Sequence, residues 1–173
     1  ERYADNKERY SDFMKKLHLD QTVGLEAFGE KKPLFQDWKE VPDPNSMLVR
    51  RSFGYRIKLS PIQVITLYNA IANDGKMISP LLVRELRDGD VVKHFKTQTL
   101  VDKVCSERTL REVRKLLESV GTEGTGAGFF RDTTLYTVAA KTGTAQYADD
   151  KIGYRDGYYI GSMVAYFPAH NPR

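Results

Sequence analysis

The chain has 173 residues, 40% hydrophobic and 29% charged, which fits one folded domain with a real core and excludes disorder over most of its length. Lys and Arg number 27 against 23 Asp and Glu, a surplus of only +4. The positive residues alternate with acidic ones, as in Arg84-Glu85-Leu86-Arg87-Asp88, so the clustered basic stripe of a nucleic-acid binder is missing and no nucleic acid is expected among the partners.

No apolar run approaches the roughly 20 residues that cross a bilayer, and Glu1-Arg2-Tyr3-Ala4-Asp5 carries no apolar leader core. The single cysteine, Cys105, allows no internal disulfide and reads as a small buried or half-buried hydrophobe. His18, His94 and His170 have no metal-ligand spacing, so no metal site is expected.

The first predicted helix places Tyr10, Phe13, Met14 and Leu17 on one face, with His18 at the C-terminal end where the macrodipole favours it. Gly24, Gly29, Pro33, Pro42, Pro44 and Asn45 then make a turn-rich stretch, an ordered loop anchored by Phe35 and Trp38. A second helix opens with Ser60 as N-cap, Pro61 in the first helical position and Gln63 completing a capping box. Its rows Ile62, Ile65, Asn69, Ala72 and Val64, Leu67, Tyr68, Ile71 predict a largely buried cylinder, stopped at Asn73-Asp74-Gly75.

Residues 81–86 and 91–95 flank Arg87-Asp88-Gly89-Asp90 as a β-hairpin. A third helix runs from Ser106 as N-cap and Glu107 in the first turn, through Leu110, Val113, Leu116, Leu117 and Val120, to a stop at Gly121. Gly121, Gly124, Gly126 and Gly128 follow a helix, not a strand, and lack the G-x-x-x-x-G-K-[ST] pattern, so a mobile or tightly turning connection is expected in preference to a phosphate loop. Residues 136–142 and 158–167 close the chain as two antiparallel strands joined by the polar link 149–157.

Lys141-Thr142-Gly143-Thr144 ends the first of these strands. A lysine on a strand edge supplies positive charge, threonine hydroxyls donate to a carboxylate, and a glycine lets an extended substrate lie against the strand. A backbone N–H at such an edge can form half of an oxyanion hole. K-T-G also belongs to the signature set of penicillin-binding proteins and class A β-lactamases.

The likeness extends well beyond the tripeptide. Ala140-Lys141-Thr142-Gly143-Thr144-Ala145-Gln146 resembles the A-G-K-T-G-T-A-Q segment of class B, monofunctional penicillin-binding proteins. Ser52-Phe53-Gly54-Tyr55 with Leu59-Ser60-Pro61-Ile62-Gln63 resembles their S-F-G-Y-G…T-P-L-Q segment, Ala70-Ile71-Ala72-Asn73-Asp74-Gly75 their A-x-A-N-x-G helix end, and Gly124-Thr125-Gly126 the G-T-G ahead of K-T-G. The final stretch from Gly161 through Phe167-Pro168-Ala169-His170-Asn171-Pro172 is similar to the F-x-G-F-x-P-A-D-N-P segment of the cell-division branch. Arg56 stands where the family often has glycine, and His170 where it often has aspartate.

This resemblance implies an α/β chain of α+β type, an antiparallel sheet flanked by helices in the penicillin-binding-protein and serine β-lactamase fold, with K-T-G on an inner strand facing the cleft. Residues 1–173 would be the C-terminal portion of one transpeptidase domain. The implied activity is serine-type D,D-transpeptidation that cross-links peptidoglycan stem peptides and is blocked by β-lactam antibiotics. Lys141, Thr142, Gly143 and Thr144 would bind the substrate. Lys141 would hold charge in the cleft, Thr142 and Thr144 would contact the carboxylate, and the Thr144 N–H would serve the oxyanion hole.

The implied setting is a protein anchored in the bacterial inner membrane, its domain in the periplasm, working with other division or elongation membrane proteins. No cofactor is implied. None of Ser11, Ser46, Ser52, Ser60, Ser79, Ser106, Ser119 and Ser162 is followed by the lysine of S-x-x-K or the asparagine of S-x-N. The nucleophile is therefore expected outside these residues, together with a further sheet strand, and the chain alone is expected to be inactive. A carboxypeptidase or β-lactamase, a β-lactam-sensing receptor domain and a non-catalytic interaction module remain alternatives at this point.

Overall fold

The computed structural model describes residues 7–25, 29–35, 40, 42–131, 135–149 and 153–172. It divides into two compact units, residues 1–70 with 75–104 and residues 71–74 with 105–173. No described helix is long and apolar enough to cross a membrane.

The first unit opens with α1 (Lys7–Lys16), which carries Glu8 in its first turn and Lys15 and Lys16 in its last, in accord with the helix dipole. Tyr10, Met14 and Leu17 are half-buried, but Phe13 is exposed and Ser11 is the fully buried residue, so the predicted stripe is rotated toward Ser11. Burial raises the Tyr10 phenol above its usual pKa, an effect partly offset by the nearby Arg51 guanidinium. His18 lies just past the helix in the left-handed region, at φ 58°.

The turn-rich stretch is held by Glu30. Its carboxylate accepts the backbone N–H groups of Val23, Gly24 and Leu25 at 2.5, 3.1 and 3.0 Å. Phe35 lies in the two-residue β1 (Leu34–Phe35), and the Arg51 guanidinium stacks over its ring at 4.6 Å. Trp38 lies outside the described residues. The loop reading needs one correction, because its end begins a helix, α2 (Pro44–Ser52). Asp43 Oδ1 caps it by accepting from Asn45 N–H at 3.2 Å and Ser46 N–H at 3.1 Å, and Pro44 occupies the start where a missing N–H costs nothing. β2 (Ile57–Lys58) then pairs antiparallel with β1.

α3 (Pro61–Ala72) has the predicted capping box. The Ser60 N–H donates to Gln63 Oε1 at 2.8 Å, and the Gln63 N–H approaches Ser60 Oγ at 3.4 Å. Its buried residues are not the apolar rows but Gln63, Thr66 and Ala70. These can be buried because their polar atoms are satisfied: Gln63 Nε2 donates to the Gln21 carbonyl at 2.9 Å and Thr66 Oγ1 to the Ile62 carbonyl at 2.8 Å. Ile65 is 54% exposed, contrary to a cylinder buried all round. Gly75 ends the helix at φ 84°, its N–H bonded to the Ala70 carbonyl at 2.8 Å.

β3 (Met77–Ile78) pairs antiparallel with β6 (Thr99–Val101), and between them stands the hairpin β4 (Glu85–Asp88) and β5 (Val91–His94). Asp88 pairs with Val91, so the turn is the two residues Gly89-Asp90, with Gly89 at φ 56°, and not the four expected. Glu85 holds Arg87 at 2.6 Å and His94 at 3.5 Å on the exposed hairpin.

The second unit packs α4 (Glu107–Thr122) and the short α5 (Ala127–Phe130) with a long hairpin, β7 (Ala139–Asp149) and β8 (Gly153–Tyr166). Ser106 Oγ caps α4 by accepting from Thr109 N–H at 3.2 Å. Leu110, Leu117 and Gly121 are its buried residues, while Leu116, one position off that row, is 65% exposed. Gly121 does not stop the helix. It lies inside it, and a Cβ there would run into the Val138 carbonyl oxygen. α4 also secures the carbonyls at the end of α3: Arg114 Nε donates to Ile71 and Nη2 to Ala72, both at 2.8 Å, and Nη1 meets Asp74 at 3.0 Å.

The two closing strands are antiparallel as expected, but β7 begins later, at Ala139, and runs on to Asp149, the first residue of the supposed polar link, while β8 already begins inside that link, at Gly153. Before it, Tyr136 is held in a ring stack with Phe167 at 4.9 Å, and the Thr137 carbonyl accepts the Ala169 N–H at 2.8 Å. Polar residues can extend a strand because the ladder is made by the backbone, and here it continues to Asp149 opposite Gly153.

Candidate active site

Val138, Ala139 and Ala140 are all buried, Ala140 completely, and small side chains there leave room for α4 to lie close to β7. At Lys141 the strand emerges into solvent. Its pairing is continuous through the motif: Lys141 opposite Val164, Thr142 opposite Met163, Gly143 opposite Ser162 and Thr144 opposite Gly161. Alternation puts Lys141 and Gly143 on one face, Thr142 and Thr144 on the other. Among the described residues β8 is the only strand paired with β7, so no described strand lies along the other edge of β7 beside the motif.

The Lys141 ammonium donates to the Thr142 carbonyl. A Cβ on Gly143 would lie 2.6 Å from Ser162 Oγ, so the closest neighbour of this glycine is a hydroxyl on β8 that can rotate away. Thr144 is exposed opposite a residue with no side chain. The four motif residues follow one another on β7, Lys141 and Gly143 on one face and Thr142 and Thr144 on the other. Two hydroxyls join them that the local reading of the motif did not supply. One is Ser162. The other is Thr125, whose Oγ1 lies 2.7 Å from Thr142 Oγ1. The only sequence signal for Thr125 was its place in Gly124-Thr125-Gly126.

His94 pairs with Glu85, and His170 with Glu118 at 3.2 Å, so both imidazoles are engaged by carboxylates in their own surroundings. A cation, two hydroxyls and a strand edge with no described strand beside it together suit an extended peptide bearing a carboxylate.

The family model of the penicillin-binding protein transpeptidase domain matches residues 4–173, and the chain belongs to that family. It is 31% identical over 168 residues to the stage V sporulation protein D of Bacillus subtilis, covering 96% of this chain and 25% of that protein. It is 30% identical over 184 residues to a peptidoglycan D,D-transpeptidase FtsI homolog of Mesostigma viride, covering 96% of this chain and 30% of the relative. Among solved structures, penicillin-binding protein 3 of Mycobacterium tuberculosis complexed with aztreonam superposes with a TM-score of 0.83 at 28% identity, over 96% of this chain and 38% of that one. The chain therefore spans between a quarter and two fifths of these relatives. The mixed fold of helices and antiparallel strands implied by the sequence resemblance is the fold of this family.

Proposed function

We propose that residues 1–173 form the K-T-G side of a peptidoglycan D,D-transpeptidase cleft, in a protein whose S-x-x-K and S-x-N segments lie outside them. The observation that carries this reading is the placement of Lys141, Thr142 and Thr144 at the point where β7 leaves the core with no described strand along one edge. Lys141 sets a positive charge beside the reacting centre, Thr142 and Thr144 hold the terminal carboxylate, and the Thr144 N–H contributes to the oxyanion hole. The serine attacks the penultimate D-alanyl carbonyl and the terminal D-alanine leaves. The amine of a second stem peptide then displaces the serine from the acyl ester and completes the cross-link. β-Lactams enter the same site because the serine opens the lactam C–N bond and the nitrogen takes up the proton. The name of the peptidoglycan D,D-transpeptidase FtsI homolog supports this substrate class. The same reading makes the parent a membrane-anchored protein that acts outside the cytoplasmic membrane alongside division or elongation proteins.

A fluorescent penicillin distinguishes this reading from a scaffold without chemistry. The full-length protein is expected to carry covalent label on a denaturing gel, with the labelled peptide mapping to a serine outside residues 1–173, and the 1–173 chain alone is expected to stay unlabelled. Label on the isolated chain, or none on the full-length protein, would overturn the assignment.

A further inference from the structure

Thr125 reaches the motif from a connection with almost no conformational choice. The Gly124 N–H bonds the Ser119 carbonyl at 2.8 Å and the Gly126 N–H bonds the Val120 carbonyl at 2.9 Å. A Cβ on Gly124 would lie 2.9 Å from Val120 Cα, and one on Gly126 would lie 2.8 Å from the Val120 carbonyl oxygen. Backbone sits at both places, so neither glycine accepts a side chain without moving the end of α4. The turn is therefore pinned on both sides of Thr125, and the residue is presented to Thr142 across 2.7 Å.

We propose that Thr125 is a positioning residue for carboxylate recognition by Thr142, acting through the direction of one proton. The proposal rests on the transpeptidase reading given above. A hydroxyl has one proton and two lone pairs. When a ligand carboxylate approaches, the charged acceptor takes the Thr142 proton in preference to a neutral hydroxyl. Thr125 then donates its own proton to Thr142 Oγ1. The result is a two-hydroxyl relay ending on the carboxylate, in which each bond polarises the next. Without the Thr125 hydroxyl, the Thr142 proton is free to turn toward other acceptors, and the relay loses its first donor. Thr144 lies two residues on, on the same face of β7, and is left to hold the carboxylate with an unaided Thr142.

The test uses the full-length protein and two replacements, Thr125→Val, which keeps the branched shape without the hydroxyl, and Thr125→Ser, which keeps the hydroxyl without the methyl. Acylation rates are measured with a penicillin and with its methyl ester, which lacks the anionic carboxylate. Thr125→Val is expected to slow acylation by the acid about tenfold and by the ester less than about twofold, while Thr125→Ser retains the wild-type preference for the acid. Equal losses with acid and ester would show a merely structural role and overturn the proposal, as would failure of serine to retain the preference. An unchanged Thr125→Val rate in a protein that Lys141→Ala still impairs would overturn the relay and leave the transpeptidase reading standing. If neither change affects the rate, the site itself has been misassigned.

Discussion

Replacing Lys141 with alanine in the full-length protein is expected to lower its β-lactam acylation rate on the order of a hundredfold, the typical cost of removing one well-placed electrostatic contact from a reacting centre. Lys141 is exposed on β7 and donates to the carbonyl of its own neighbour, Thr142, so among the described residues its charge is neutralised by no carboxylate. A charge held this way can turn to a new partner without breaking an ion pair. The loss should appear in stopped-flow acylation while thermal stability stays close to wild type, since an exposed lysine side chain on a strand contributes little to folding. An unchanged rate would make Lys141 an ordinary solvated lysine and remove the central residue of the proposed site.

The largest stability effect is expected at Gly121. Inside a helix, glycine to alanine ordinarily stabilises by about 0.5–1 kcal/mol, because alanine loses less backbone freedom on folding. At Gly121 the sign should reverse. The added methyl would run into the carbonyl oxygen of Val138, and backbone cannot swing aside as a flexible side chain does. α4 and β7 must separate, and overpacking of this kind costs about 1–3 kcal/mol, enough to outweigh the helix propensity. Gly128→Ala is the matching control, since Gly128 lies in α5 and a methyl group added there would meet nothing within 4 Å. Thermal denaturation should show Gly121→Ala clearly lowered and Gly128→Ala unchanged or slightly raised. Val138 lies three residues before Lys141, so the Gly121 variant should also lose acylation rate. Equal melting of the two variants would mean that α4 and β7 are packed less closely than the Gly121 contact requires.

Local signals were legible wherever the chemistry that sets an element lies within a few residues of it. Ser60 with Gln63 and Ser106 with Thr109 mark the starts of α3 and α4, and the Lys141 motif is contiguous on one strand. The start of α2 had the same kind of signal in Asp43 and Pro44, but it stood in a stretch whose composition reads as loop. What the sequence hid was tertiary. Gln63 is buried because its amide finds the Gln21 carbonyl, 42 residues away in the chain. Gly121 looked like a helix stop, yet its role is set by Val138, which follows only after a turn and another helix. The contact between Thr125 and Thr142 spans 17 residues, so composition and periodicity could not place the two hydroxyls together.

The Glu30 carboxylate has a consequence for how this chain tolerates change. One side chain closes the turn by receiving three successive amides, and its residue is only partly buried. Aspartate is one methylene too short to reach all three, and glutamine would turn an NH2 group toward donors that need an acceptor. In a saturation library scored for folded protein, position 30 should therefore reject nearly every substitution, as a core position does, while nearby exposed positions such as Lys31 and Lys32 accept most of them.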